Sequence, residues 1–375
     1  MAVTTSTPEI ILTTRTASTA GATTFGQTIA PVRLGDAQTG QTVSVLAGLA
    51  SAEGFHTNLG LYNLSDHSIT VTYEVFDTDG TLLGEKSISA DAGAFAQDVD
   101  ALADFGVSRG AWAMVWSDEV SDLFTCYASV VDDLSHDPTF IPPTMLHQAI
   151  SRMVIPTVAA QPGFNGTRWA TELTLVNPSD IEVQATLVYH SGNGTSTDSV
   201  DRLIPEGTAL YVDDLLRELF ATEGAGWLEI QASQGLVAAC RIFNNAAGGT
   251  FGQFVPSLVM PTETRESALI IPGLLSERGF RTNLGLTSLS DIDTTVEVTM
   301  YSSDGVVLGN ESVPLAGGAF VQLVKILDQT FDFEGSAWAE IEAQDTDAIF
   351  IAHASVIDGS TGDPSFISAS EQHID

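Results

Sequence analysis

Three stretches decide the fold: FHTNLGLYNLSD (55–66), RWATELTLVNPSD (168–180) and FRTNLGLTSLSD (280–291) are versions of one segment. Each is followed by apolar residues alternating with polar ones, as in Ile69, Val71, Tyr73 and Val75, the period-2 pattern of a half-buried strand. Each then meets a tight-turn pair, Asp79-Gly80, Asn193-Gly194 or Asp304-Gly305, which favours a short β-hairpin because both central positions accept positive φ. Each unit later reaches a tryptophan, Trp112, Trp227 and Trp338, spaced 115 and 111 residues apart. A period this long means tandem domains, because solenoid repeats run about 20–50 residues.

The spacing predicts all-β architecture: three tandem immunoglobulin-like antiparallel β-sandwiches at 36–146, 147–260 and 261–375. Each has one short helical stretch: DVDALADFG (98–106), YVDDLLRELF (211–220) and QLVKILDQTF (322–331). The tryptophans, repeated at one place in every module, are expected to anchor the sandwich cores. Proline-bearing linkers, with Pro142, Pro143, Pro156, Pro256, Pro261 and Pro272, predict a semi-rigid rod.

A second period runs through the chain. The ending TFGQ occurs at 24–27 and 250–253, and DPTF or DPSF at 137–140 and 363–366, each pair 226 residues apart. Residues 9–31 thus match 233–256, the last strand and tail of repeat two, without a sandwich of their own. Residues 1–35 read as an orphan strand, either a domain remnant packed on repeat one or a donor strand. As a donor, Ile10, Ile11 and Leu12 would insert into a neighbouring sheet and build a head-to-tail filament.

The chain carries 48 acidic and 13 basic residues, a formal charge of −35, and only Lys86 and Lys325 among lysines. Such a surface repels phosphate backbones and anionic membranes, so neither nucleic acid nor membrane insertion is expected. No apolar run is long enough to span a bilayer. The first twenty residues lack a basic segment followed by an apolar one, which leaves a mature or trimmed form, another export signal or a cytoplasmic protein as the alternatives. Cys126 and Cys240 occupy equivalent places in different repeats, which points to buried thiols and not to a bridge.

Searching for chemistry, there is no HExxH, GxSxG or P-loop, and no histidine recurs in all three repeats, so no enzymatic activity and no zinc site are expected. Asp132, Asp133 and Asp137, matched by Asp358 and Asp363, read first as turn residues, and they are also where a calcium site would be best placed. Otherwise no cofactor is expected. Trp116 and Trp169 are not repeated and are candidates for a ligand surface.

Taken together, the (F/R)xTNLGL…SD…DG…W…ASV(V/I)D…DP(T/S)F series resembles immunoglobulin-like repeats of bacterial secreted and cell-surface proteins. The resemblance runs from about 40 to 370 and implies a fold and a surface role, with no catalytic residue. Repeat two departs from it, with Glu172 in place of Asn and RIFNN in place of ASVVD. The expected function is an extracellular structural or adhesive array that binds itself or another surface protein. The alternatives are a glycan-binding array or an accessory region of a larger exported enzyme.

Overall fold

The computed structural model describes residue 3 and residues 10–371, apart from 21, 22, 53, 164, 165, 195, 247, 265 and 266. Residues 4–9, where the orphan segment starts, lie outside the described residues.

The alternation read from the sequence becomes three antiparallel β-sandwiches. In repeat one, Leu123–Asp132 sits between Phe55–Asn63 and Pro138–Ile141 in one sheet. The facing sheet runs Ser44–Leu49, Ala111–Ser117, Ile69–Phe76, Leu82–Ala90. Between them lie Leu46, Leu59, Leu61, Val71, Tyr73, Val115 and Phe124, all fully buried. The Tyr73 hydroxyl reaches the core because it donates to the Gly60 carbonyl at 3.1 Å, satisfying a polar group that would otherwise be costly to bury. Repeat three reproduces both sheets and encloses Ile271, Leu284, Leu286, Val298, Met300 and Ile341.

Repeat two joins its two layers through one 23-residue strand, Gly224–Ala246. Its first half pairs with Val183–Ser191 and Ile150–Pro162, and its second half with Arg168–Val176 and Gly249–Val255. The short helices lie where the apolar spacing placed them: Leu215–Phe220 and Ile326–Gln329 are α-helical, while the matching stretch of repeat one forms the 3-10 turn Ala103–Phe105.

Two expectations change. The tryptophans point away from the sandwich cores. Ala111, Ala113 and Val115 fill the core of repeat one, so Trp112 between them faces outward and joins Val45, Ala47, Val176, Val237 and Ala239 at the joint with repeat two. Trp227 does the same between repeats two and three, packing with Phe320 and Ile351 and donating its Nε1–H to the Gly318 carbonyl at 2.9 Å.

The modules also do not form a rod. The orphan segment is a hairpin, Thr14–Ala20 with Thr23–Ile29, folded onto repeat three. Four strands then enclose a centre: Thr23–Ile29, Pro138–Ile141, Gly249–Val255 and Pro364–Ser368, each packed against its neighbours in that cycle. The array is a closed ring in which apolar joints, not proline linkers, set the arrangement.

Candidate functional site: the junction of four hairpins

The two ending motifs bind each other across the ring. Asp132 of repeat one accepts from the amides of Leu134 and Ser135 through Oδ1, and through Oδ2 from the amide and hydroxyl of Thr250, both at 2.8 Å. Asp137, fully buried, accepts from the Gly252 amide at 2.7 Å and lies 3.6 Å from the Arg241 guanidinium. The same set recurs 226 residues on. Asp358 accepts from the Thr24 amide at 2.8 Å and the Thr24 hydroxyl at 2.9 Å, and Asp363 from the Gly26 amide at 2.9 Å and Arg15 Nη2 at 2.7 Å. Arg241 and Arg15 each donate Nε–H at 2.8 Å to the hydroxyl of the DP(T/S)F motif, Thr139 and Ser365 respectively.

Each motif letter thereby has a reason. The Thr of TFGQ supplies two donors to one carboxylate. The Gly lets the strand approach: a Cβ at Gly26 would stand 2.2 Å from the Thr16 carbonyl oxygen, and one at Gly252 2.6 Å from Arg241 Nε. The Gln meets a serine across the ring, Gln27 with Ser129 at 3.0 Å and Gln253 with Ser355 at 2.8 Å. A pseudo-two-fold axis therefore passes through the junction. It exchanges repeat one and its clasp from repeat two with repeat three and its clasp from the N-terminal hairpin.

Asp137 and Asp363 interact directly at this axis, where Oδ1 of each is buried and receives no hydrogen bond from the other described residues. Burial raises both carboxyls well above the usual range; the charge of Asp137 adds to the rise at Asp363, and Arg241 opposes it at Asp137. Two coupled carboxylates in low dielectric resist ionising together, which favours a proton held between them. Asp132 behaves oppositely. Its burial works upward, but the amides of Ser135, Thr250 and Leu134 outweigh it and hold the carboxyl below its ordinary value.

The residues singled out in the sequence fall as follows. Asp132, Asp137, Asp358 and Asp363 converge at the junction as hydrogen-bond acceptors. Asp133 does not; it pairs with His56 at the surface, 2.6 Å away. No group of three or more His, Cys, Asp or Glu side chains arranged to hold a metal occurs among the described residues. Trp116 lies half-buried on the outward face of Ala111–Ser117, and Trp169 half-buried against the repeat-two core, so the structure does not bring them together. Ile10 is half exposed, Ile11 and Leu12 are partly covered, and all three precede the strand, which starts at Thr14. Cys126 and Cys240 are free and buried. Burial pushes the Cys126 thiol up to about 12 and the Cys240 thiol higher, so neither is a thiolate at neutral pH. His353, buried and stacked on Phe366, is pushed down to about 3 and is neutral.

Arg15 and Arg241 were not singled out in the sequence. Their signal was present: both precede a TFGQ motif by nine residues, the only cations in their hairpins. The departure at Glu172 also has a partner, because Arg109 of repeat one donates to it and, at 2.7 Å, to Asp213.

No protein-family model matches the chain, and no curated protein matches it in sequence. Among solved structures it is similar to the BSP domain of a biofilm associated protein, at 9% identity over 96% of this chain and 66% of that one, with a TM-score of 0.17. It is also similar to the native conformation of E. coli alpha-2-macroglobulin, at 9% identity over 90% of this chain and 23% of that one, with a TM-score of 0.15. The chain thus spans slightly under two thirds of the first and about a quarter of the second. No helix among the described residues is long and apolar enough to cross a membrane.

Proposed function

We propose that this chain is a non-catalytic structural or adhesive β-repeat protein of the extracellular space or cell surface, acting through its own assembly. One observation carries the reading: the ionisable side chains that converge at the junction, Asp132, Asp137, Asp358, Asp363, Arg15 and Arg241, are all engaged in fastening one module to another. The strongly acidic composition suits a β-rich protein kept from sticking edge to edge.

The assembly step is exchange of the N-terminal hairpin. In the ring it docks on repeat three of its own chain through Arg15, Thr24 and Gly26, none of which is a covalent or core contact. The same contacts made with repeat three of a neighbour link copies head to tail, and a link that does not close on itself gives a filament. The repeat-two hairpin cannot do this, because it belongs to the strand Gly224–Ala246 that joins both layers of its sandwich.

Analytical ultracentrifugation and electron microscopy of the full chain over a range of concentrations test this. Concentration-dependent head-to-tail oligomers that vanish when residues 1–29 are deleted are the expected result. Uniform monomers at every concentration, or oligomers that survive the deletion, would overturn it.

A further inference from the structure

The seam between the N-terminal hairpin and repeat three copies the joint between repeats two and one, but three places filled in the joint are open in the seam. The first is a strand edge. In repeat two, Arg168–Val176 pairs with the clasp strand so that Leu173 faces Cys240 and Ala170 faces Phe243. The equivalent strand Thr14–Ala20 pairs, among the described residues, only with Thr23–Ile29, and Thr16, Ala17, Ser18 and Thr19 are exposed. The second is a cavity. Phe254, Tyr211 and Arg109 crowd the joint around Phe55 and leave a void of about 20 Å³. In the seam, Thr28 stands for Phe254 and Gly335 for Arg109, no residue stands for Tyr211, and a cavity of about 200 Å³ opens beside Phe280 and Gly273. The third is an aromatic stack. Trp112 on Phe76 is buried under Val176 and Val237. Its counterpart, Trp338 stacked on Tyr301 at 4.0 Å, is only half-buried.

All three places are filled in the joint by one object, the sandwich body of repeat two. Its strand Arg168–Val176 takes the edge, its strand Ala209–Val212 sets Tyr211 in the cavity, and Val176 with the second half of Gly224–Ala246 covers the tryptophan. We propose that the seam is the docking site for a further β-sandwich body of the repeat-two kind. That body adds a strand antiparallel to Thr14–Ala20, places an aromatic side chain in the cavity and covers Trp338. The partner is specified by continuity with an interface the chain already contains, related to the seam by the 226-residue offset. Strand addition at an open edge supplies main-chain hydrogen bonds, and the pocket supplies selectivity. The face that would meet the partner's core carries Thr14 and Thr16 where repeat two carries Cys240 and Ile242, so docking relies on the edge and the pocket more than on a shared apolar core. The seam offers the same openings whichever chain supplies the hairpin.

The test uses the full chain bearing Ala17→Cys and a synthetic peptide of residues 167–178 bearing Ala170→Cys, the pair that the offset places directly opposite. Cross-strand neighbours lie within disulfide reach, at Cα separations of about 4.5–5.5 Å. Disulfide formation at least tenfold faster than with a scrambled peptide is expected, together with loss of that advantage when the peptide cysteine is moved one residue out of register. A second pair, Thr19→Cys with Arg168→Cys in the peptide, guards against a local disturbance at Ala17. No preference over the scrambled peptide in both pairs would overturn the proposal. So would Ala17→Cys chains joining each other in preference to the peptide, because the edge would then take a second copy of this chain.

Discussion

The clasp on repeat one and the clasp on repeat three use the same donors, acceptors and glycines, yet they are backed differently. Thr250, Gly252 and Arg241 sit on strands anchored in a complete sandwich core that includes Cys240, Ile242 and Val255. Thr24, Gly26 and Arg15 sit on a two-stranded ribbon held by its own ladder and by repeat three. An isolated hairpin is marginal in water. Equivalent contacts are therefore expected to hold more firmly at the joint than at the seam, because stability belongs to the cooperative unit and not to the bond.

The largest expected contrast comes from removing the axial carboxyls. Asp137→Ala leaves the buried Arg241 without its counter-charge and should cost about 3–5 kcal/mol of global stability, read as a lower urea midpoint. Asp363→Ala strips acceptors from Gly26 and the partly exposed Arg15, for about 2–3 kcal/mol. That loss should fall on the hairpin alone, as faster proteolysis between residues 14 and 29 with the melting of the three sandwiches unchanged. Equal global losses in the two variants would break the distinction between joint and seam.

Next come the tryptophans. Trp112→Ala empties a fully covered site and should cost about 3–5 kcal/mol. Trp338→Ala, with one face already open, should cost about 1–2 kcal/mol in the same denaturant titration.

The pH dependence is smaller over any one unit. Asp137 and Asp363 are raised in the fold, so their contribution is complete below the unfolded carboxylate value of about 4 and fades as pH climbs through their folded values. The slope is at most about 1.4 kcal/mol per unit for each proton. Asp132 is depressed, so its contribution is present above about pH 4 and is lost as pH falls through its folded value. Converting both axial aspartates to asparagine should flatten the alkaline side of the stability curve and spare the acid side. An unchanged alkaline side would count against the shared proton.

The smallest effect sharpens the comparison. Thr28→Phe restores at the seam the ring that Phe254 provides at the joint, and should slow amide exchange across Thr14–Ile29 by an amount worth about 1 kcal/mol.

Much of the fold was legible in the sequence. Alternation at Ile69–Phe76, the Asp-Gly turns and the copied TNLGL segments are local signals, and local signals fix strands and hairpins. The 226-residue offset also announced that two unlike domains form the unit. That TFGQ and DPTF fasten to each other was not legible, because the contacting residues lie more than 100 positions apart and no local rule pairs them. The tryptophans were readable and misassigned. Ala111, Ala113 and Val115 already occupied one face, so Trp112 had to take the other, but its cover comes from a different module and leaves no mark in the periodicity. The aspartates were found, whereas what they bind in the structure depends on amide directions that sequence does not carry.

A ring closed by one short ribbon responds to tension differently from a string of beads. If the N-terminal hairpin and repeat three are drawn apart, the ladder of each sandwich is spared while the Arg15–Asp363 and Thr24–Asp358 contacts take the strain. They are expected to give way first, lengthening the molecule by a fixed increment before a sandwich unravels. Releasing the pull should let the ribbon find its seat again, so the closure is expected to behave as a resettable reserve of length.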